Sequence, residues 1–329
     1  MVDQNDKILM VKNLTKYFPV GGLLSNHTLH ALEDISFSIG KGEVVALVGE
    51  SGSGKSTAAR LVARLMPPTH GEIFYKGHDV LKTERRGASL KYRSQVQMIF
   101  QDPFSSLNSV HTIEHILSRP IEIHKKLRGK ATKEKVVELL ESVGLNPGAD
   151  FIYKYPHELS GGQRQRVAIA RALAVDPEII LADEPISMLD VSIRMGVMNL
   201  MENLKEERGI GYLYITHDIA NARYISDKIM VLYAGMVMET AESEELIRNP
   251  SHPYTQLLFS AAPNPHGGQD RHTVAARGEV LSRIDPRPGC PFAPRCPRVM
   301  SVCQYEMPEI VTLNDNHNIR CHLYGAEHK

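Results

Sequence analysis

The run Gly49-Glu50-Ser51-Gly52-Ser53-Gly54-Lys55-Ser56-Thr57 constrains this chain more than any other stretch. An apolar segment, Val-Val-Ala-Leu-Val at 44–48, leads into it, and a helix-competent segment at 58–65 leads out. Strand, glycine-rich turn and helix, in that order, are the setting a phosphate-binding loop requires. Glycines let backbone N–H groups converge on an anion, and the helix N-terminus adds a partial positive charge. In such a loop Lys55 reaches the β- and γ-phosphates of a nucleotide, and the Ser56 hydroxyl holds Mg²⁺. An ordinary glycine turn could match the pattern by chance, but the flanking strand and helix argue against it. All nine residues are therefore predicted to contact ATP.

A chain of 329 residues is long for one average domain, which predicts a large core with an appendage. The 38 basic and 38 acidic residues cancel, so no basic excess recommends nucleic acid as a partner. Residues 1–7 are polar, unlike a secretory signal, and the longest apolar run, 229–238, contains Gly235 and is far short of a membrane span. These features predict a soluble, intracellular chain.

Taken in order, residues 8–14 and 32–39 read as strands, the second with alternating apolar Ile35, Phe37 and Ile39. Pro19-Val20-Gly21-Gly22 between them reads as a loop. Residues 72–75 read as a further strand. Residues 132–143 read as a helix with Val136, Val137, Leu139, Leu140 and Val143 on one face.

A second anion site is predicted at Ser160-Gly161-Gly162-Gln163, which opens a helical pattern over 164–175. Next, the apolar run 179–182 ends in Asp183-Glu184. There Asp183 is positioned to orient Mg²⁺, and Glu184 to polarise an attacking water as general base. Ser187-Met188-Leu189-Asp190 follows at once. A helical segment around 197–204 and a strand at 212–215 then deliver Thr216-His217-Asp218. His217, at a strand end, is a candidate sensor of the γ-phosphate. Each of these residues alone has a plain structural explanation; in this order, behind this loop, each gains a chemical role.

Together these residues resemble the ATPase subunit of an ABC transporter over about residues 7–260. The Walker A loop is 49–57, the signature begins at Leu159, Walker B ends at Asp183-Glu184, the D-loop is 187–190, and His217 is the switch histidine. Gln101, in Phe100-Gln101-Asp102-Pro103, matches the Q-loop. The resemblance implies Phe18, with Tyr17 as second choice, as the aromatic stacked on adenine. It implies Mg²⁺ held by Ser56, Gln101 and Asp183, catalytic work at Glu184, His217, Gln101 and Asp183, and nucleotide contacts from Ser160, Gly161, Gly162, Gln163 and Asp190. Met188 departs mildly from the small residues common in the D-loop. Farther on, Asn249-Pro250-Ser251-His252-Pro253-Tyr254 resembles the C-terminal signature of oligopeptide/dipeptide importer ATPases.

The fold implied is α/β: a P-loop ABC-type nucleotide-binding domain over 1–260 with a helical insert at about 105–160, then a small cysteine-bearing domain over 261–329. The implied mechanism is a head-to-tail pair of homologous but distinct ATPases that sandwich two ATP, each lending its signature to the other's site. Closure would be passed to two integral membrane permease subunits, served indirectly by an extracytoplasmic solute-binding protein. The chain would be peripheral at the cytoplasmic face. Phe104, Leu107 and Ile113 are candidate groove residues for the permeases, although core packing suits each of them. The competing reading is a soluble ABC-type ATPase of assembly or repair.

Cys290, Cys296, Cys303 and Cys321 are all the cysteines, gathered among Pro286, Pro288, Pro291, Pro294 and Pro297. A reducing compartment disfavours disulfides, and a loop-rich tail with little apolar material would gain from a metal staple. Gaps of five, six and seventeen residues are wide for structural zinc and suit a four-iron, four-sulfur cluster; zinc and unligated thiols remain open. The tail also resembles cysteine-bearing domains of dipeptide importer ATPases, some of which hold such a cluster. No feature of the sequence brings this tail to the ATP site.

Overall fold

The computed structural model describes residues 7–21, 26–85, 87–261, 283–314 and 316–325. Twelve strands among them fall into two sheets: β1 (Lys7–Val20), β2 (His27–Gly40), β3 (Val44–Val48), β4 (His70–Tyr75), β5 (His78–Asp79), β6 (Val96–Ile99), β7 (Ile179–Asp183), β8 (Gly211–Thr216), β9 (Lys228–Tyr233), β10 (Met236–Glu242), β11 (Ile310–Asn314) and β12 (His317–Arg320). The smaller sheet has the order β2-β1-β4-β5, the larger β11-β12-β10-β9-β3-β8-β7-β6.

The centre of the larger sheet is parallel: β3 pairs with β8 and β9, and β7 with β8 and β6. Every residue of β3, β7 and β8 is buried, which is why these strands read as unbroken apolar runs. Their C-terminal ends face one edge of the sheet, and there β3 delivers Gly49, β7 delivers Asp183 and β8 delivers Thr216. Ligands of open α/β sheets bind at that edge.

The short antiparallel sheet differs from the sequence expectation. β1 runs through Pro19 and Val20, which pair with Thr28 and His27, so the loop expected from Pro19 begins later. Proline is tolerated there because this is the tip of a two-stranded ribbon, where pairing is incomplete.

Between β6 and β7 the chain forms helices Ile113–Lys125 and Lys130–Ser142, which pack with the helix Gly161–Leu173. Leu107 and Ile113 are buried in this cluster and serve as core, whereas Phe104 is half exposed and carries the Arg164 guanidinium 3.6 Å above its ring. Among the described residues no helix is long and apolar enough to cross a membrane.

The C-terminal residues do not close on a sheet of their own. The β11–β12 hairpin adds to the outer edge of the large sheet through Glu239↔Ile319 and Thr240↔Asn318. His317 Nε2 lies 2.7 Å from Glu239 Oε1, with both side chains buried. Glu239 also accepts from the amides of Ser251 and His252, at 2.7 and 3.1 Å, fixing the entry to the helix Pro253–Ala261. Phe292 inserts against Tyr233 and Tyr254, each centroid 5.3 Å away, and is fully buried. Burying one such ring contributes about 2 kcal/mol, so this aromatic trio fastens the tail to the core.

Candidate functional site

The loop after β3 is shaped by its glycines. A Cβ on Gly49 would lie 2.1 Å from the Leu232 carbonyl oxygen, and Gly54 has φ +106° with the Ala31 carbonyl 2.5 Å from where a Cβ would sit. The loop opens into the helix Lys55–Val62, whose first residues, Lys55, Ser56 and Thr57, line a cavity. Lys55 is buried and folds back on the loop, donating to the carbonyls of Gly49 and Glu50 at 2.7 and 2.8 Å. Burial pushes its ammonium below the ordinary range, against the pull of Glu184, Asp183 and Glu50.

Ser56 Oγ donates to Asp183 Oδ1 at 2.9 Å. Burial raises the Asp183 carboxyl above its ordinary range, the Ser56 hydrogen bond opposes this, and neighbouring Glu184 adds to it. A buried carboxylate beside a hydroxyl is a hard oxygen pair that fits Mg²⁺, whose charge would favour the ionised form. Among the described residues no group of three or more His, Cys, Asp or Glu side chains is arranged to hold a metal.

Glu184 follows directly. Its φ is +47°, a left-handed conformation that is uncommon outside glycine, and its amide donates to the Ile215 carbonyl at 2.9 Å. Gln101 Nε2 donates to Glu184 Oε2 at 2.9 Å, and His217 Nδ1 lies 3.2 Å from Glu184 Oε1. Gln101, Glu184 and His217 thus meet although they come from three different loops. Gln101 directs its amide to Glu184 and not to the Ser56–Asp183 pair.

A cavity of about 300 Å³ opens beside them, its lining including Phe18, His30, Ser51, Gly52, Gly54, Lys55, Ser56, Thr57, Gln101, Glu184 and Arg283. Phe18 is on its wall. Tyr17, one residue earlier, points elsewhere, with its ring 4.0 Å from His30 and its hydroxyl 3.4 Å from Glu33.

The signature residues lie outside this cavity. Ser160 caps the helix Gly161–Leu173 by accepting from the Gln163 amide at 3.3 Å, while Gln163 Oε1 accepts from the Ser160 amide at 3.0 Å. The two glycines therefore belong to the first helical turn, and Asp190 stands at the N-cap of the helix Val191–Arg208. Around them Met188 and Val191 are exposed, at 53% and 76%.

The four cysteines converge. Cys290 donates its amide to the Cys303 carbonyl at 2.8 Å, and its thiol feels those of Cys303, Cys321 and Cys296. Burial pushes the Cys290 thiol up to about 12 and the Cys321 thiol up to about 11. Among the described residues, which include all four, no three are grouped to hold a single metal ion.

Sequence reasoning missed three residues. Arg283 lines the cavity, although it lies beyond the cassette. Tyr254 and Arg295 both contact Glu50 of the loop, so through Arg295 the tail reaches the candidate site, contrary to expectation. A bidentate pair between residues 245 positions apart leaves no local signal.

A profile described as "ABC transporter" matches residues 32–187, and one described as "Oligopeptide/dipeptide transporter, C-terminal region" matches 238–303. The chain is 44% identical to "Oligopeptide transport ATP-binding protein AppF" of Bacillus subtilis, covering 97% of this chain and 98% of that protein. It is 42% identical to "Dipeptide transport ATP-binding protein DppF" of Haemophilus influenzae, again over 97% and 98%. Among solved structures, a dimeric ATP-binding cassette in a post-hydrolysis state bound to ADP and Pi matches with TM-score 0.62 and 33% identity, covering 71% of this chain and 98% of that one. The chain belongs to the ABC transporter family, among the ATP-binding proteins of oligopeptide and dipeptide transport.

Proposed function

We propose that this chain is the ATP-hydrolysing subunit that powers import of peptides through membrane permeases. Full-length likeness to oligopeptide and dipeptide transport ATP-binding proteins carries the reading. The alternative of a soluble assembly or repair ATPase gains no support from these relatives.

In the proposed cycle, the loop amides and Lys55 bind the nucleotide phosphates, and Phe18 stacks on adenine. Ser56 and Asp183 would hold Mg²⁺, which offsets charge on the transferred phosphoryl group when bound. Glu184 accepts a proton from the attacking water, with its carboxylate oriented by Gln101 and His217. Ser160, Gly161, Gly162, Gln163 and Asp190 would serve a partner's site. That assignment is supported by their lying outside this chain's cavity while the surface around Met188 and Val191 is exposed and apolar. ATP held between two cassettes binds the closed pair better than the open one, and loss of the γ-phosphate lets the pair reopen.

The partner is a homologous second cassette, the pair docks on two permease subunits at the cytoplasmic face, and an extracytoplasmic binding protein delivers the solute. The boundary near residue 260 separates the cassette from its tail. The cysteines form the finer part of the proposal: a four-iron, four-sulfur cluster, with zinc as its rival, is supported by four thiols within electrostatic reach of one another. Purification of the tagged chain from membranes tests the reading. Two permeases and a second cassette should accompany it, with ATPase activity stimulated by peptide-loaded binding protein. Recovery without any membrane protein would overturn it.

A further inference from the structure

Glu50 is gripped at three points. Its carboxylate takes both Arg295 Nη1 and Nη2, at 2.8 and 2.9 Å. Its amide donates to Tyr254 Oη at 3.0 Å, and its carbonyl accepts from Lys55 Nζ at 2.8 Å. Two of these three contacts come from outside the loop. Arg295 is the last residue of a short 3₁₀ turn, Ala293–Arg295, set between Cys290 and Cys296 by Ala293 N–H to Cys290 O at 3.1 Å and Cys296 N–H to Ala293 O at 3.2 Å. Tyr254 and Arg295 are buried, and the Arg295 guanidinium also lies 5.8 Å from the Tyr233 ring centroid. Forked, charge-assisted pairs of this kind hold geometry as well as charge, and the Glu50 side chain retains 27% exposure, which limits its desolvation cost.

We propose that Arg295 and Tyr254 are positioning residues of the phosphate loop, holding Glu50 so that the loop keeps its anion-binding shape when Lys55 turns from the loop carbonyls to a nucleotide. Lys55 now occupies its donors on Gly49 and Glu50. A phosphate that draws Lys55 away leaves the Glu50 carbonyl with one fewer partner, and Gly52 and Gly54, both at positive φ, give the loop freedom to relax. An external grip on the Glu50 amide and carboxylate removes that freedom in advance, so less order has to be imposed on binding. The C-terminal segment thereby contributes to nucleotide affinity without touching the nucleotide at Arg295.

The test uses the full chain with a fluorescent ATP analogue, and the assembled transporter for steady-state kinetics. Arg295→Gln and Glu50→Gln should each weaken analogue binding about tenfold, and the double variant no more than either single, since both remove one interaction. In the transporter Arg295→Gln should raise KM for ATP while kcat stays within about twofold, the pattern of lost uniform binding. Arg295→Lys should recover part of the affinity. Tyr254→Phe, which deletes only the acceptor of the Glu50 amide, should weaken binding about threefold, a change in one modest hydrogen bond. Unchanged affinity in these variants with a lowered melting temperature, or additive losses in the double variant, would reduce the contact to a tie between tail and core and overturn the proposal. Should Arg295→Gln not fold, Tyr254→Phe decides by the same titration: normal affinity there also overturns it.

Discussion

Ser56 and Asp183 lie 127 residues apart, yet the Ser56 hydroxyl donates to Asp183 Oδ1 at 2.9 Å. Adjacent parallel strands make this possible, because β3 and β7 both flank β8 and end at the same edge. Asp183→Asn should therefore lose Mg²⁺-dependent nucleotide binding while leaving the fold intact, because the amide can still accept from Ser56. Titrating ATP with and without Mg²⁺ checks this. The wild type should show the larger gain from Mg²⁺, and the variant should show little.

Phe18 lines the cavity and Tyr17 does not. Loss of a stacked ring costs about 1–2 kcal/mol, so Phe18→Ala should raise the Kd for ATP roughly tenfold. Tyr17→Ala should have the smaller effect. Equal losses would remove Phe18 from its assigned place under the base.

His252 is fully buried, and burial pushes its imidazole from the ordinary 6.5 down to about 3, with a backbone contact from Arg320 opposing. The unfolded chain therefore binds a proton below about 6.5 that the folded chain refuses until about 3. Stability is undiminished above 6.5 and is lost progressively as pH falls through that window, by about 1.4 kcal/mol per pH unit at most. His252→Asn keeps an acceptor for the Tyr254 amide, now at 3.0 Å from His252 Nδ1. Melting curves between pH 7 and about 4.5 should fall less steeply in the variant, whatever its starting stability. Parallel curves would contradict the burial argument.

If the cysteines hold iron, protein purified without oxygen should be brown and Cys303→Ser should bleach it. Colourless protein with stoichiometric zinc would decide for the rival metal, and protein with neither would return the four thiols to plain packing.

The ATP site was largely legible in the sequence because each part sits at the end of a buried parallel strand, and such strands appear as short apolar runs bounded by glycine or polar residues. Glu184, Gln101 and His217 meet at the edge where these strands end. What was not legible depends on partners distant in sequence. Pro19 and Val20 look like a loop but are carried into β1 by pairing with β2. Residues 310–314 and 317–320 read as tail and instead extend the main sheet, since an edge strand is specified by the strand beside it. Arg295 stands in a proline-rich segment with nothing local to mark its hold on Glu50. The same applies to the cysteines, whose convergence around Cys290 no local pattern marks.

A single cassette supplies its own loop, Asp183 and Glu184, but its Ser160 lies outside its own cavity. The purified chain alone should hydrolyse ATP slowly. Ser160→Arg should disable the site whose Walker A loop belongs to the partner while sparing ATP binding to this chain. Full-rate hydrolysis by the isolated chain would exclude the two-cassette site.

The most direct measurement concerns Glu184, whose carboxylate is flanked by Gln101 at 2.9 Å and His217 at 3.2 Å. Glu184→Gln can hydrogen-bond the attacking water but cannot take its proton, which should lower turnover at least about a hundredfold. In the reconstituted transporter, ATP should still bind with near-normal affinity and hold the cassettes closed, and peptide uptake should stop. Near-normal hydrolysis or continued uptake in that variant would contradict the account.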